Sequence, residues 1–221
     1  MKSLFYALTL LCIISCYSKD GPSIDVGQVK IELDSIMKLD QKYRSQLPDL
    51  FKKYGPDAKE FKDILKKQNE IDSSNLIYVK DLIEAYGKYP GSSLVGNEVG
   101  DVAFFVLQHA PDSIHAKYLP VIMAAVENGE LQRNYGAMYK DRYLLGLGKP
   151  QIFGSQVVSH QWIDPDTETP NLLVLWPIKD TTDIDSLRLW NGLRPLEDYL
   201  NSFGISRWDT TTPTIKDFNL E

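Results

Sequence analysis

A few polar side chains in the middle of the chain could supply acid, base and amide chemistry. His109 could act as a general acid or base near neutral pH. Arg142 could hold an anionic or carbonyl group, and the adjacent Asp141 could be the partner of His109 or of Arg142. Gln151 and Gln156 could position the amide or hydroxyl groups of a substrate. If these five side chains line one pocket, they predict a site for a small polar ligand, a saccharide or a peptide, or the catalytic site of a hydrolase or lyase.

Four further polar residues are candidates for binding the same ligand. Asp40 interrupts the apolar face of a predicted helix, and an isolated carboxylate there is costly unless it is paired or solvated. Arg44 lies one turn on, so a local ion pair at the rim of the core explains both residues as well as a functional role does. Asp72 lies where the apolar face of the next helix turns polar, and Gln108 precedes His109.

Structural explanations compete with each functional one. A lone histidine beside apolar residues such as Phe105 is usually a hydrogen-bonded core residue. A buried polar network that only fixes the arrangement of helices is therefore a third hypothesis, beside ligand binding and catalysis. The chain has three histidines and no cysteine after Cys16, so we expect neither a metal site nor a cofactor. His115, near the start of its helix, is expected to be solvated.

Apolar residues recurring every three or four positions predict a mainly α fold of about six to seven helices. Asn75 and Asn97 are expected to be N-caps. Gly87, Gly129 and Gly146 are expected to end helices. The predicted helices cover residues 24–47, 57–75, 76–86, 97–107, 113–128, 134–145 and 184–199.

A small β-hairpin is predicted after the sixth helix. Residues 151–162 and 172–178 are rich in β-forming residues, and the polar segment 164–170 would connect them. A bulge at Gly154 would bring Gln151 and Gln156 to the same side, next to the end of the sixth helix.

The length and composition are those of one globular domain, and with the predicted helices we place a single mainly helical domain at residues 25–202, followed by a C-terminal tail at 203–221. Of the 221 residues, 43% are hydrophobic and 24% charged, which is ordinary for a globular protein. The net charge of -6 argues against a broad basic face, so no nucleic acid is expected as a partner.

The N-terminus predicts export. Residues 1–15 combine Lys2 with a short apolar segment, as a secretory signal does. The segment ends in Ile-Ile-Ser-Cys16, which resembles a bacterial lipobox, so we expect a lipoprotein signal peptide, a lipid on Cys16 and a flexible tether over 16–24. The expected location is the cell envelope, with the outer membrane favoured because Tyr17 is not the aspartate of inner-membrane retention. The alternative is a buried N-terminal element with an incidental cysteine.

Several short motifs, in order, resemble the uncharacterised bacterial family called domain of unknown function 6624, over about residues 30 to 200. The family has no established activity, so the resemblance implies an architecture and a residue set but no chemistry. Phe153 and Ser155 stand where the family has tyrosine and threonine. The matching motifs are Asp40-Gln41 with Arg44, Asp72 with Asn75, Gln108-His109-Ala110, Asp141-Arg142, Gln151-Ile-Phe-Gly-Ser-Gln156, Pro177-Ile-Lys-Asp180, and Arg188 with Gly192-Leu193.

Overall fold

The computed structural model describes residues 24–159 and 173–205. The predicted signal peptide, Cys16, the turn 164–170 and the tail from 206 onward lie outside these residues. The fold is mainly α with a small hairpin, as predicted. The elements are α1 (Val26–Arg44), α2 (Leu47–Tyr54), α3 (Lys59–Tyr86), α4 (Ser92–Val95), α5 (Val102–Gln108), α6 (Asp112–Glu127), α7 (Arg133–Gly146), β1 (Val157–Ser159), β2 (Leu173–Leu175), α8 (Ile184–Trp190) and α9 (Leu196–Asn201).

Helix α3 is one continuous helix of 28 residues. Two helices with a break at Asn75 were expected, and that prediction was wrong. Asn75 is 5% exposed in the middle of α3 and caps nothing. The segment 59–86 contains neither glycine nor proline, and packing against α1 and α5 favours an unbroken helix over the local capping preference of asparagine.

Helix α5 lies at the centre of the helical core, as its uniformly apolar sequence predicted. Ala103, Phe104 and Leu107 are fully buried. The helix begins at Val102 rather than near Asn97, so the predicted Asn97 cap was wrong. The buried Tyr89 hydroxyl lies at its start, where it donates to the Gly100 carbonyl at 3.0 Å and accepts from the Phe104 N–H at 3.1 Å. Helix α5 packs against α1, α3, α6 and α7 and ends at the candidate residue His109.

Helix α6 buries a histidine that was expected to be solvated. His115 is 3% exposed, so that prediction was wrong. It belongs to a buried face with Tyr118, Ile122 and Ala125, at steps of three and four. The prediction placed the more apolar face containing Leu119 toward the core. The structure buries the neighbouring face, although its histidine and tyrosine are less apolar.

The hairpin is antiparallel, and in the described residues β1 begins later and β2 ends earlier than predicted. Strands β1 and β2 pair Val157 with Leu175 over three residues each. Residues 151–156 form a loop, and Gln151 makes a single parallel bridge to Ile178. The predicted last helix, 184–199, is two helices, because Gly192 adopts a φ of 73° between them and the first residue before α9 is proline. Among the described residues, no helix has the length and apolar character needed to cross a membrane.

Candidate functional site

Two carboxylates and an arginine connect α1 to α3. Arg44 donates to both oxygens of Asp40, one turn before it, at 2.9 and 3.2 Å, and to Asp72 on α3 at 2.7 Å. The predicted local pair of Asp40 and Arg44 is therefore confirmed, and Asp72 extends it. Burial lowers the pKa of Arg44, but its two carboxylate partners outweigh burial and raise that pKa above its usual value. We call Asp40, Arg44 and Asp72 the Arg44 triad, which has a formal charge of -1.

Buried amides next to the Arg44 triad retain free hydrogen-bonding atoms. The Gln68 Nε2 donates to Asp72 at 2.7 Å, while its Oε1 has no partner in the described part of the chain. The same holds for the Asn75 Nδ2 and the Gln108 Oε1. These side chains are 1%, 5% and 9% exposed. A buried polar atom without a partner costs about 1–3 kcal/mol, so three of them on α3 and α5 are a large cost for a scaffold alone.

His109 brings the charged residues of three helices into one environment. It caps the C-terminus of α5 with its side chain exposed, although its helical spacing predicted partial burial. Burial nevertheless lowers its pKa to about 4; the positive charges of Arg44 and Arg142 lower it as well, and the negative charges of Asp40 and Asp72 oppose this. His109 thus has both an exposed surface and enough surrounding protein to disfavour its charged form. The imidazole is therefore neutral and accessible at neutral pH.

Arg142 is a half-buried cation without a counter-ion. Within residues 24–159 and 173–205 its side chain makes no ion pair and no hydrogen bond, and its Nε is buried without a partner. Burial lowers its pKa, against the opposing influence of Tyr199 and Asp112. Desolvating a guanidinium without a carboxylate is costly, and such a group is well suited to an incoming anion.

Asp141 does not orient Arg142, which corrects the predicted division of roles. Asp141 is fully buried, and both of its oxygens accept hydrogen bonds from residues 152–155. The donors are the backbone N–H groups of Ile152 at 2.7 Å, Phe153 at 3.1 Å and Ser155 at 3.0 Å, and the Ser155 hydroxyl at 2.9 Å. Burial raises the pKa of Asp141, opposed by these hydrogen bonds. Its role is to anchor residues 151–156, which we call the glutamine loop.

The two glutamines of this loop are brought together, as predicted, but they bind the protein itself. The Gln151 Nε2 donates to the carbonyls of Gln156 at 3.1 Å and Trp176 at 2.5 Å, and its Oε1 accepts from the Gln156 N–H at 2.8 Å. The Gln156 Nε2 donates to the Ser155 hydroxyl at 3.0 Å and the Met138 carbonyl at 3.4 Å. With Gln151 fully buried and its amide fully used, its predicted role in ligand binding is replaced by one in shaping the loop.

Arg188 holds the opposite side of the glutamine loop and was not among the predicted site residues. It is 1% exposed and donates to the carbonyls of Phe153 at 2.6 Å, Gly154 at 2.9 Å and Arg194 at 2.8 Å. The N–H groups of the loop therefore point at the carboxylate of Asp141, and its carbonyl groups point at the guanidinium of Arg188. Arg188 follows Ile184 by four residues on the buried face of α8, and that spacing was the available sequence signal.

His115 supports the end of α5 from beneath. Its Nε2 lies 3.1 Å from the Gln108 carbonyl, and its ring packs edge-on against Tyr139. Its Nδ1 lies 3.4 Å from an Asp112 oxygen, too poorly aligned for a hydrogen bond. His115 thus helps to fix the position of the neighbouring His109.

Five of the nine predicted residues are His109 and the four charged residues that act on it electrostatically. We call Asp40, Arg44, Asp72, His109 and Arg142 the His109 cluster. Gln108 adjoins it, while Asp141, Gln151 and Gln156 form the support of the glutamine loop. A cavity of about 480 Å³ lined by Asp101, Glu130 and Tyr135 contains none of these residues. Its Asp101 and Glu130 carboxylates are already bonded to Tyr135 and Ser93, whereas the half-buried guanidinium without a partner in the described ranges, that of Arg142, belongs to the His109 cluster.

A family model described as "Family of unknown function (DUF6624)" matches residues 27–205. The chain belongs to DUF6624. The matched region contains the whole His109 cluster and the glutamine loop. No curated protein matches the chain, and no solved structure does.

The side chains of this DUF6624 protein do not assemble a metal site in the part of the chain that the structure describes, where no group of three His, Cys, Asp or Glu could hold an ion. The carboxylates of the cluster are already engaged by Arg44. The chemistry offered by the cluster is therefore that of a neutral imidazole, a free guanidinium and several free amide atoms.

Proposed function

We propose that this protein binds a small polar ligand through the His109 cluster, and that an anionic group of the ligand pairs with Arg142. One observation carries the proposal: Arg142 is half-buried and its guanidinium has no counter-ion among the described residues. A carboxylate or phosphate would satisfy the Nε and a terminal nitrogen together, as guanidinium groups favour. Each charge-assisted hydrogen bond of this kind contributes about 1.5–3 kcal/mol.

His109 and the glutamine loop have separate roles in this proposal. The neutral, accessible imidazole of His109 can donate one hydrogen bond to a ligand and accept another. The loop contributes rigidity, because Asp141 and Arg188 fix its backbone from two sides. A rigid support lowers the entropic cost of binding.

Titration with sodium acetate and with inorganic phosphate tests the proposal. Thermal unfolding is followed at constant ionic strength, maintained with sodium chloride, for the wild type and for Arg142→Met. A saturable rise in melting temperature is expected in the wild type and not in the variant. The matched control is Arg133→Met, because Arg133 is exposed on the same helix. Equal stabilisation of all three proteins, or none of any, would refute a site at Arg142.

An envelope hydrolase or lyase is the second candidate. The observation in its favour is the accessible imidazole of His109, which is unprotonated at neutral pH, as a general base must be, although a pKa of about 4 makes it a weak base. Because Asp141 is committed to the glutamine loop, no carboxylate of the described residues is bonded to Arg142, and this favours binding over catalysis. Turnover of any ligand found, abolished by His109→Ala with an unchanged melting temperature, would establish the enzyme instead.

We also propose that the protein is exported and anchored by a lipid on Cys16, on the cell envelope and with the outer membrane favoured. The basic start, apolar segment, small residue and cysteine of residues 1–16 support this. Metabolic labelling with a fatty-acid analogue is expected to mark the wild type but not Cys16→Ser. Equal labelling of both proteins would refute lipid attachment at this position.

A further inference from the structure

The formal charges around His109 are divided by sign between different helices. The Arg44 triad on α1 and α3 has a net charge of -1, since one arginine serves two carboxylates. Arg142 on α7 has a charge of +1 and no hydrogen-bond or ion-pair partner in the described ranges, although Asp112 acts on it from a longer distance. Helix α5 packs against α1 and α3 and also against α7, so His109 at its end lies under the influence of both charges. A ligand at His109 therefore meets a negative and a positive region.

The amide that is hydrogen-bonded to the negative region, that of Gln68, has a free hydrogen-bond acceptor. Gln68 donates its Nε2 to Asp72, and this contact fixes which end of the amide is oxygen. Its Oε1, 99% buried with the rest of the side chain, is left to accept a donor. The Gln108 Oε1, next to His109, is a second free acceptor, and among these three described amides only Asn75 leaves a donor, its Nδ2, without a partner. An ammonium group has three donors and a positive charge, which is what this region lacks.

We infer that the ligand is a small zwitterion, an amino acid or a short peptide, whose carboxylate pairs with Arg142 and whose ammonium group binds between the Arg44 triad and the Gln68 Oε1. The inference rests on the proposed function, because it assigns a ligand class to the same site. A saccharide would satisfy the free amides but neither of the unbalanced charges, so it fits less well.

Calorimetric titration with glycine, dialanine and trialanine tests this ligand class. The three probes separate the two charges by increasing distances, and each is compared with its N-acetylated form, which keeps the carboxylate but not the ammonium. At least one zwitterion is expected to bind, with acetylation weakening its affinity tenfold or more. The variant Asp72→Asn, which removes the excess negative charge, is expected to abolish this preference. Asp63→Asn is the matched control, since Asp63 is exposed on the same helix and pairs only with Lys59.

The outcomes separate the ligand class from the site itself. If the acetylated probes bind as tightly as the free ones and Arg142→Met removes both, the site is an anion site and the zwitterion inference is wrong. If Asp72→Asn keeps the preference for a free ammonium, the inference is also wrong. If neither the peptides nor acetate and phosphate bind in an Arg142-dependent manner, the proposed function fails with it.

Discussion

Replacing Asp141 with asparagine tests whether this residue anchors the glutamine loop. The substitution keeps the size of the side chain and removes its charge. One oxygen remains to accept from Ile152 and Phe153, while an NH₂ group faces the Ser155 N–H. The Ser155 hydroxyl can rotate to accept from that NH₂, but the backbone N–H cannot.

The expected loss of stability follows from these contacts. One buried N–H without a partner costs about 1–3 kcal/mol, and converting two charged hydrogen bonds to neutral ones costs about 1 kcal/mol each. Asp141→Asn should therefore lower the free energy of unfolding by about 3–5 kcal/mol. That is a large share of the total for a typical domain, about 5–15 kcal/mol. Ser155→Ala, which removes only the hydroxyl, should cost about 1 kcal/mol.

Urea unfolding, followed by circular dichroism, measures both losses. Asp34→Asn is the control, because Asp34 is exposed and pairs only with Lys38, so it should unfold at the wild-type urea concentration. If Asp141→Asn does not fold, Ser155→Ala still reports on the anchor. A loss below about 1 kcal/mol for Asp141→Asn would refute the anchoring role, since even one orphaned N–H should exceed it.

Three further predictions concern the cluster and its support. Nuclear magnetic resonance titration of the His109 ring should give a pKa of about 4. Because the same ring in the unfolded chain has a pKa of about 6.5, the contribution of His109 to stability should fall as the pH drops from about 6.5 to 4. A measured pKa of about 6.5 would contradict the partly desolvated environment of the ring. Arg188→Met should cost about 2–4 kcal/mol in urea unfolding, because it leaves carbonyls of the glutamine loop without donors, and a neutral effect would show that the loop does not need it. Gly154→Ala should destabilise the protein more than Gly87→Ala in the same assay. Both glycines have a positive φ, but a Cβ at Gly154 would also lie 2.8 Å from Ile178, while one at Gly87 would meet no atom within 4 Å. Equal losses of stability would show that the contact with Ile178 adds no cost beyond the backbone strain.

Local patterns in the sequence predicted what local physics decides. The pair of Asp40 and Arg44 is one helical turn apart, so its geometry follows from the helix alone. The third member, Asp72, lies 28 residues beyond Arg44, and no local rule connects them. The apolar run of α5 likewise predicted a central helix, while its first residue depends on the distant Tyr89 hydroxyl.

The division of roles between Asp141 and Arg142 could not be predicted from their adjacency. Neighbouring residues on a helix point about 100° apart, so each faces a different part of the protein. Asp141 faces backbone N–H groups that point at one carboxylate because the loop turns at Gly154, which has a φ of 67°. The polarity of Gln151 was visible in the sequence, but whether its amide binds a ligand or the backbone depends on that same loop geometry.

The resonance of the Arg142 Nε–H group, assigned by its absence in Arg142→Met, tests the central claim most directly. Its nitrogen and proton shifts are followed while sodium acetate is added at constant ionic strength. A counter-ion site at Arg142 predicts a saturable downfield movement of this proton, with the Arg133 resonance unchanged. If the chemical shifts of the Arg142 Nε–H group do not change when acetate is added, up to concentrations at which other resonances have stopped moving, the account is contradicted.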